Sequence, residues 1–184
     1  MKDSRDYKTK ICDGIGDTDH PKYMLVGMCG GRLGCIQTGV LFTRDGSGKL
    51  LIRVLNELGY TKDYEWNENP QYHNIYVTNL VKGVILGDDG NNRVPTYEEI
   101  MYWRNTFIDE ITLVNPEYVV SIGMVVRNHI ESFVSQGGNN PLLLFVKHPS
   151  YFLRHGALGK AKGAWTQMLK EYTNTLGVND GPTV

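Results

Sequence analysis

A chain of 184 residues is the usual size of one compact domain and can bury a full hydrophobic core without help from disulfides or metals. Its hydrophobic share of 41% and charged share of 21% are ordinary for a water-soluble domain, and no apolar run is long enough to cross a bilayer. The polar opening MKDSRDYKTKICDG has no apolar stretch of the secretory kind, so the expectation is a cytoplasmic, monomeric, single-domain protein over 1–184, with a polar N-terminal segment at 1–20 and a flexible tail at 177–184.

In chain order, KYMLVG (Lys22 to Gly27) is a short apolar run of strand formers between Pro21 and a glycine cluster, and reads as a buried strand. Gly27 to Gly48 is glycine-rich without helical period and reads as a long loop. Leu50, Leu51, Val54, Leu55 and Leu58 then share one helical face, stopped at Gly59. NIYVTNLV (Asn74 to Val81) predicts a second strand, followed by the turn-rich GDDGNNRVP. A helix opens at Thr96, where Thr96 and Glu99 make a T-x-x-E capping box. Ile100, Trp103, Phe107, Ile111 and Val114 continue it as an inward stripe. EYVVSIG (Glu117 to Gly123) predicts a third strand, Val125, Val126, Ile130 and Val134 a helix ending before Gly137, LLLFV (Leu142 to Val146) a fourth strand, and Ala164 to Leu176 a last helix. Strands alternating with helices predict a three-layer α/β/α sandwich around a central, mainly parallel four-stranded sheet. Ligands of such sheets bind beyond the carboxyl ends of the strands. Function is therefore expected in Gly27 to Gly48, Thr78 to Arg93, Gly123 to Arg127 and Lys147 to Arg154.

The three cysteines, Cys12, Cys29 and Cys35, form no C-x-x-C pair, and free thiols rather than a disulfide framework or a zinc site are expected. A net charge of −1 argues against a chain that is basic throughout. Lys147, Arg154, Lys160, Lys162 and Lys170 nevertheless stand in a stretch without one acid, a phosphate-facing composition. Nucleotide-binding motifs fare poorly. GMCGGRLG has its glycines at the wrong intervals for a dinucleotide fingerprint. DGSGKLL has Thr43 where a P-loop needs its first glycine and Leu50 where it needs a magnesium-binding hydroxyl.

The segments after the strands match another pattern. GMCGGRLGCIQTGVLFTRDGSGKLL is similar, over its glycines and its FT-x-D-x-SG core, to the first motif of the family 5 uracil-DNA glycosylases. VTNLVKGVILGDDGNNRVPTYEEI and FVKHPSYFLR look instead like the family 4 enzymes, with TNV-x-K-C-R-P-P-x-NR-x-PT-x-EEI and HPSYLLR. The resemblance to the uracil-DNA glycosylase superfamily spans Met24 to Leu169. It implies a monofunctional DNA glycosylase of base excision repair that flips uracil or a modified pyrimidine out of DNA and hydrolyses its N-glycosidic bond, leaving an abasic site. The alternatives are a DNA-binding protein of the same fold with altered catalysis, and a glycosidase of free nucleotides.

The resemblance also implies roles. Asp45 matches the catalytic aspartate, able to activate water and offset positive charge on the sugar, although a helix N-cap is its plain alternative. His148 of the HPS motif can donate a hydrogen bond to the base oxygen on which negative charge grows. Asn79 can read the Watson-Crick edge of a flipped pyrimidine, against the plain alternative of a strand-end turn. Phe42 would stack on the base, or simply pack in the core. Gly27, Met28 and Cys29 would complete base recognition. Ser150, Tyr151, Phe152, Leu153 and Arg154, with Lys160 and Lys162, would meet DNA, the apolar ones filling the gap in the duplex.

Departures matter too. Family 4 enzymes hold an iron-sulfur cluster on four cysteines, and Gly83 and Trp103 stand at two of those positions here, so no cofactor and no metal are expected. The first motif usually reads G-E-A-P-G. Met28 replaces its acid and Gly30 its proline, which leads us to expect a pocket that accepts a base larger than uracil near the pyrimidine 5-position.

Overall fold

The computed structural model describes residues 11–65, 67, 69–137, 140–154, 159, 163 and 165–167. The elements run β1 (Ile15–Gly16), β2 (Tyr23–Gly30), α1 (Cys35–Thr38), α2 (Gly46–Glu57), β3 (Ile75–Val84), α3 (Tyr97–Val114), β4 (Tyr118–Ile122), α4 (Met124–Val134), β5 (Leu142–Val146) and α5 (Pro149–Arg154). They form one five-stranded sheet in the order β1-β3-β2-β4-β5. The pairings of β2 with β3, β2 with β4 and β4 with β5 are parallel, and only β1 pairs antiparallel, with β3.

Residue alternation along the strands divides the core between the two faces. Met24, Val26 and Leu80 pack with the inward stripe of α3 and with Val126, Ile130 and Phe133 of α4. Tyr23, Leu25, Ile75 and Val77 pack on the other face with Leu50, Leu51, Val54 and Leu55 of α2 and with Trp165. Trp165 is fully buried and its Nε1 donates to Lys147 O at 3.1 Å, tying the chain after α5 to the end of β5. The chain leaves β2 for β3 on one side and returns across β2 to β4 on the other, so the topological switch point lies at the carboxyl end of β2.

The three-layer architecture and the helix stripes agree with the sequence reading, and four corrections follow. The sheet has five strands rather than four, because the expected polar segment contributes β1, Ile11 bridges to Gly83, and Cys12 is buried. Gly27 to Gly30 belong to β2 rather than to a loop. β3 runs three residues past Val81 and buries Lys82, whose ammonium reaches Glu110 of α3 and Thr78. Free thiols are also corrected for two cysteines: Cys12 and Cys35 form a disulfide with their Cα atoms 6.4 Å apart, and Cys29 alone is free. The predicted helix at Ala164 to Leu176 is described only at Trp165, Thr166 and Gln167, which are helical. Its remainder, the tail 177–184, Lys160 and Lys162 lie outside the described residues. No helix among the described residues is long and apolar enough to cross a membrane.

Candidate active site

A cleft of about 320 Å³ opens at the switch point, lined by Met28, Cys29, Gly30, Gly31, Phe42, Asp45, Ser47, Asn79, Asn92, His148 and Ser150. Three chain segments converge on it: the long connection after β2, the turn after β3 and the start of α5.

The first segment is held under strain. Phe42 and Arg44 have φ of +52° and +60°, a left-handed conformation that side chains with a Cβ rarely adopt. Between them Thr43 is buried, its hydroxyl donating to Val40 O at 2.8 Å and lying 2.7 Å from Thr38 Oγ1. The turn closes tightly on α2, where a Cβ on Gly48 would stand 2.0 Å from Phe42 O. This geometry drives the Phe42 ring against β2. A Cβ on Gly27 would stand 2.5 Å from Phe42 Cζ and 2.4 Å from the Asn79 amide, so only glycine fits between ring and amide.

Asp45 ends that segment and caps α2, its Oδ1 accepting from Gly48 N at 2.8 Å. The capping alternative is therefore realised, and it leaves the second oxygen available. Oδ2 has no partner among the described residues and faces the cleft wall at Gly31. Asn79 is not at a strand end: it sits inside β3 opposite Gly27, buried. Its side-chain oxygen accepts from Gly30 N at 3.2 Å, where the β2–β3 register shifts, and its nitrogen donates to Thr78 O at 3.2 Å.

His148 enters from the end of β5. The backbone N–H of Ser150 points at its Nδ1, 3.2 Å away, and a backbone N–H can only donate. Nδ1 is therefore the acceptor, and the neutral ring carries its proton on Nε2, which has no partner among the described residues. Ser150 Oγ lies 2.8 Å from the same Nδ1. Burial lowers the pKa of His148 below the ordinary histidine value of 6.5. The carboxylate of Asp45 opposes this, and Arg154 adds to it. Near neutral pH the ring is thus an uncharged donor. Cys29 is no competing nucleophile, since burial pushes its thiol up to about 12.

The structure brings Asp45, His148, Asn79, Phe42, Met28, Cys29 and Ser150 to the cleft, with Gly27 directly behind its aromatic wall. The residues of α5 expected to fill a gap in the duplex do not share one environment. Phe152 packs into the core on the α2 face, and Leu153 sits 3.0 Å from where a Gly46 Cβ would be. Tyr151 and Arg154 stay exposed, the Tyr151 ring lying under Lys147 Nζ at 4.4 Å. Asn92 and Ser47 are cleft residues that sequence reasoning passes over. Asn92 stands within the NNRVPT stretch, which reads as part of a polar turn.

A carboxylate oxygen and an imidazole N–H opening on one slot with an aromatic wall suit a flat heterocycle and a hydrolytic step. The class defined by fold and site is thus an α/β domain with a cleft at its sheet's switch point. The chain matches the family model described as the uracil DNA glycosylase superfamily over residues 14–172, and it belongs to that superfamily. A DNA-glycosylase type of function, exercised on DNA, goes with that membership. No curated protein matches the chain.

Proposed function

We propose that this protein hydrolyses the N-glycosidic bond of uracil or a modified pyrimidine in DNA and leaves an abasic site. The observation that carries the reading is the pairing, in one cleft, of an Asp45 oxygen left over from capping with a His148 ring fixed as an Nε2–H donor. As the bond to the sugar stretches, positive charge grows on the sugar and negative charge on the base. Asp45 sits to offset the first and to take a proton from the attacking water, and His148 to hydrogen-bond a base carbonyl as the second develops. Phe42 supplies the face on which the flipped base stacks. Asn79 supplies an amide for its edge, and Met28 and Cys29 an apolar border beside it. Ser150, Tyr151 and Arg154 are placed to hold the strand's phosphates, with Lys147 alongside.

The reading is of a monofunctional enzyme. Lys82, the lysine of the aligned TNLVK stretch, is committed to Glu110 on the α3 face, away from the cleft, so it offers no amine to the sugar. An iron-sulfur cluster does not fit the residues present: Gly83 is bridged to Ile11, Trp103 packs in the core, and Cys12 is joined to Cys35. Oligonucleotides bearing uracil, thymine or 5-substituted uracils, single- and double-stranded, test the proposal. Release of uracil and of at least one 5-substituted base is expected. Release of no pyrimidine from any of them would overturn the reading, and release of plain uracil alone would remove the role given to Met28.

A further inference from the structure

Extruding a base leaves a hole in the duplex, and an apolar side chain that fills the hole keeps the stack from closing again. The two α5 residues best suited to that task are spent elsewhere: Phe152 packs in the core on the α2 face, and Leu153 lies against Gly46. The other arm carries an apolar side chain that the roles above leave unused. Leu33 is 52% exposed in the turn after β2, two residues beyond Gly31 of the cleft wall. Two residues span at most about 7 Å of chain, and successive bases of a strand stand about 3.4 Å apart, so Leu33 lies within about two base steps of the cleft.

An exposed leucine is ordinary by itself, and what sets this one apart is how its backbone is held. Before it, the Arg32 N–H donates to Asn92 Oδ1 at 2.9 Å. After it, the N–H groups of Gly34 and Ile36 both donate to Gly31 O at 3.3 Å. A Cβ on Gly34 would stand 2.4 Å from Thr43 O, so the turn lies directly on the strained segment that aims Phe42. Cys35 is buried next in the chain and bonded to Cys12. A side chain presented from so fixed a backbone gives up little freedom when it inserts. The charge around it also suits a phosphate backbone: Arg32 and Arg44 are exposed, and Gly27 to Arg44 contains no acid. We infer that Leu33 enters the duplex where the target base has left, with Arg32 against the strand, so that double-stranded DNA is a substrate. The inference rests on the glycosylase reading. Phe42 holds the extruded base while Leu33 occupies its former place in the stack, and one chain segment couples extrusion to trapping.

Single-turnover release of uracil under saturating protein is measured from one sequence presented as a single strand and as a duplex. In a second duplex, 2-aminopurine beside an uncleavable fluorinated deoxyuridine reports unstacking by its fluorescence. Leu33→Ala is expected to slow release from the duplex on the order of tenfold to a hundredfold, to slow release from the single strand less than about threefold, and to lose most of the fluorescence rise. Leu33→Met keeps an apolar side chain of similar reach and should stay within about threefold of the wild type on both forms. Equal losses on the two forms, no loss on the duplex, or a duplex-specific loss in Tyr151→Ala rather than Leu33→Ala would overturn the inference. So would a wild-type protein confined to single strands. Each of these outcomes leaves the glycosylase reading intact, whereas no uracil release by the wild type from either form would overturn both.

Discussion

The two arms of the cleft are built by opposite means. The arm after β2 is irregular and strained, with two left-handed non-glycine residues, a buried threonine, and a disulfide that ties its α1 turn to the N-terminal segment. The arm after β5 is a short helix whose outer side chains, Tyr151 and Arg154, face solvent. Strain of this kind persists only where surrounding structure over-determines it. Here it aims the Phe42 ring and the free Asp45 oxygen, the parts that the proposed chemistry needs held in place. The helical arm supplies one locked group, His148, and otherwise a surface on which a charged strand can lie. On the proposed function, the boundary between chemistry and binding runs through the second arm, at Ser150.

Substitutions can break that contrast at its strong points first. Asp45→Asn keeps a capping oxygen and removes the base, so base release should fall about a thousandfold with little change in Tm. A thermal melt beside the kinetic assay would separate the two roles, and a large loss of Tm would count against the division. Cys12→Ser opens the tie on the first arm. Closing a loop of sequence separation 23 stabilises by about 3 kcal/mol, so urea unfolding should show a loss of that order, mirrored by reductant on the wild-type protein. Gly27→Ala should lower stability by about 1–3 kcal/mol and impair base release further, because the added carbon meets the Phe42 ring and the Asn79 amide.

For His148, replacement by alanine should slow base release about a hundredfold. The pH dependence sharpens the claim. Burial depresses the folded pKa, so the unfolded chain takes up a proton first. The stability linked to His148 is complete above the ordinary value of 6.5 and is lost as the pH falls from there toward the depressed folded value. The Ser150 N–H bond to Nδ1 fails over the same window, so the acid limb of the rate profile should lie below 6.5. A limb at or above that value would contradict the lowering of the His148 pKa by burial. The smallest effect is expected on the outer helix. Arg154→Ala should weaken DNA binding severalfold and lower the salt dependence of log K by about one unit without slowing the bound complex.

How much of this was legible in the sequence depended on how local the determinant is. The α3 start was readable because Thr96 and Glu99 satisfy each other within one turn. Its stripe was readable because Ile100, Trp103, Phe107, Ile111 and Val114 recur at the helical period. The end of β3 was not. Lys82 looks like a surface residue until Glu110, 28 residues on, neutralises it. The glycines from Gly27 look like loop, yet Gly27 is glycine because the Phe42 ring, much later in the chain, must lie against the strand. Cys12 and Cys35 could be paired only once β1 brought the N-terminal segment beside the sheet. In the site, Asp45 and His148 were reachable through a motif resemblance. Asn92 was not, because only the folded turn after β3 brings it to the cleft wall, and no spacing encodes that.

The central claim is that one cleft, with Asp45 and His148 acting together, releases a pyrimidine from DNA. Mass analysis of the products formed from a duplex carrying several modified pyrimidines, by the wild-type protein and by Asp45→Asn in parallel, tests it most directly. The wild type is predicted to yield an intact free pyrimidine base and an unbroken strand bearing an abasic site, and the variant almost none of either. Equal release by both proteins, or strand breakage joined to a covalent lysine adduct, would contradict it.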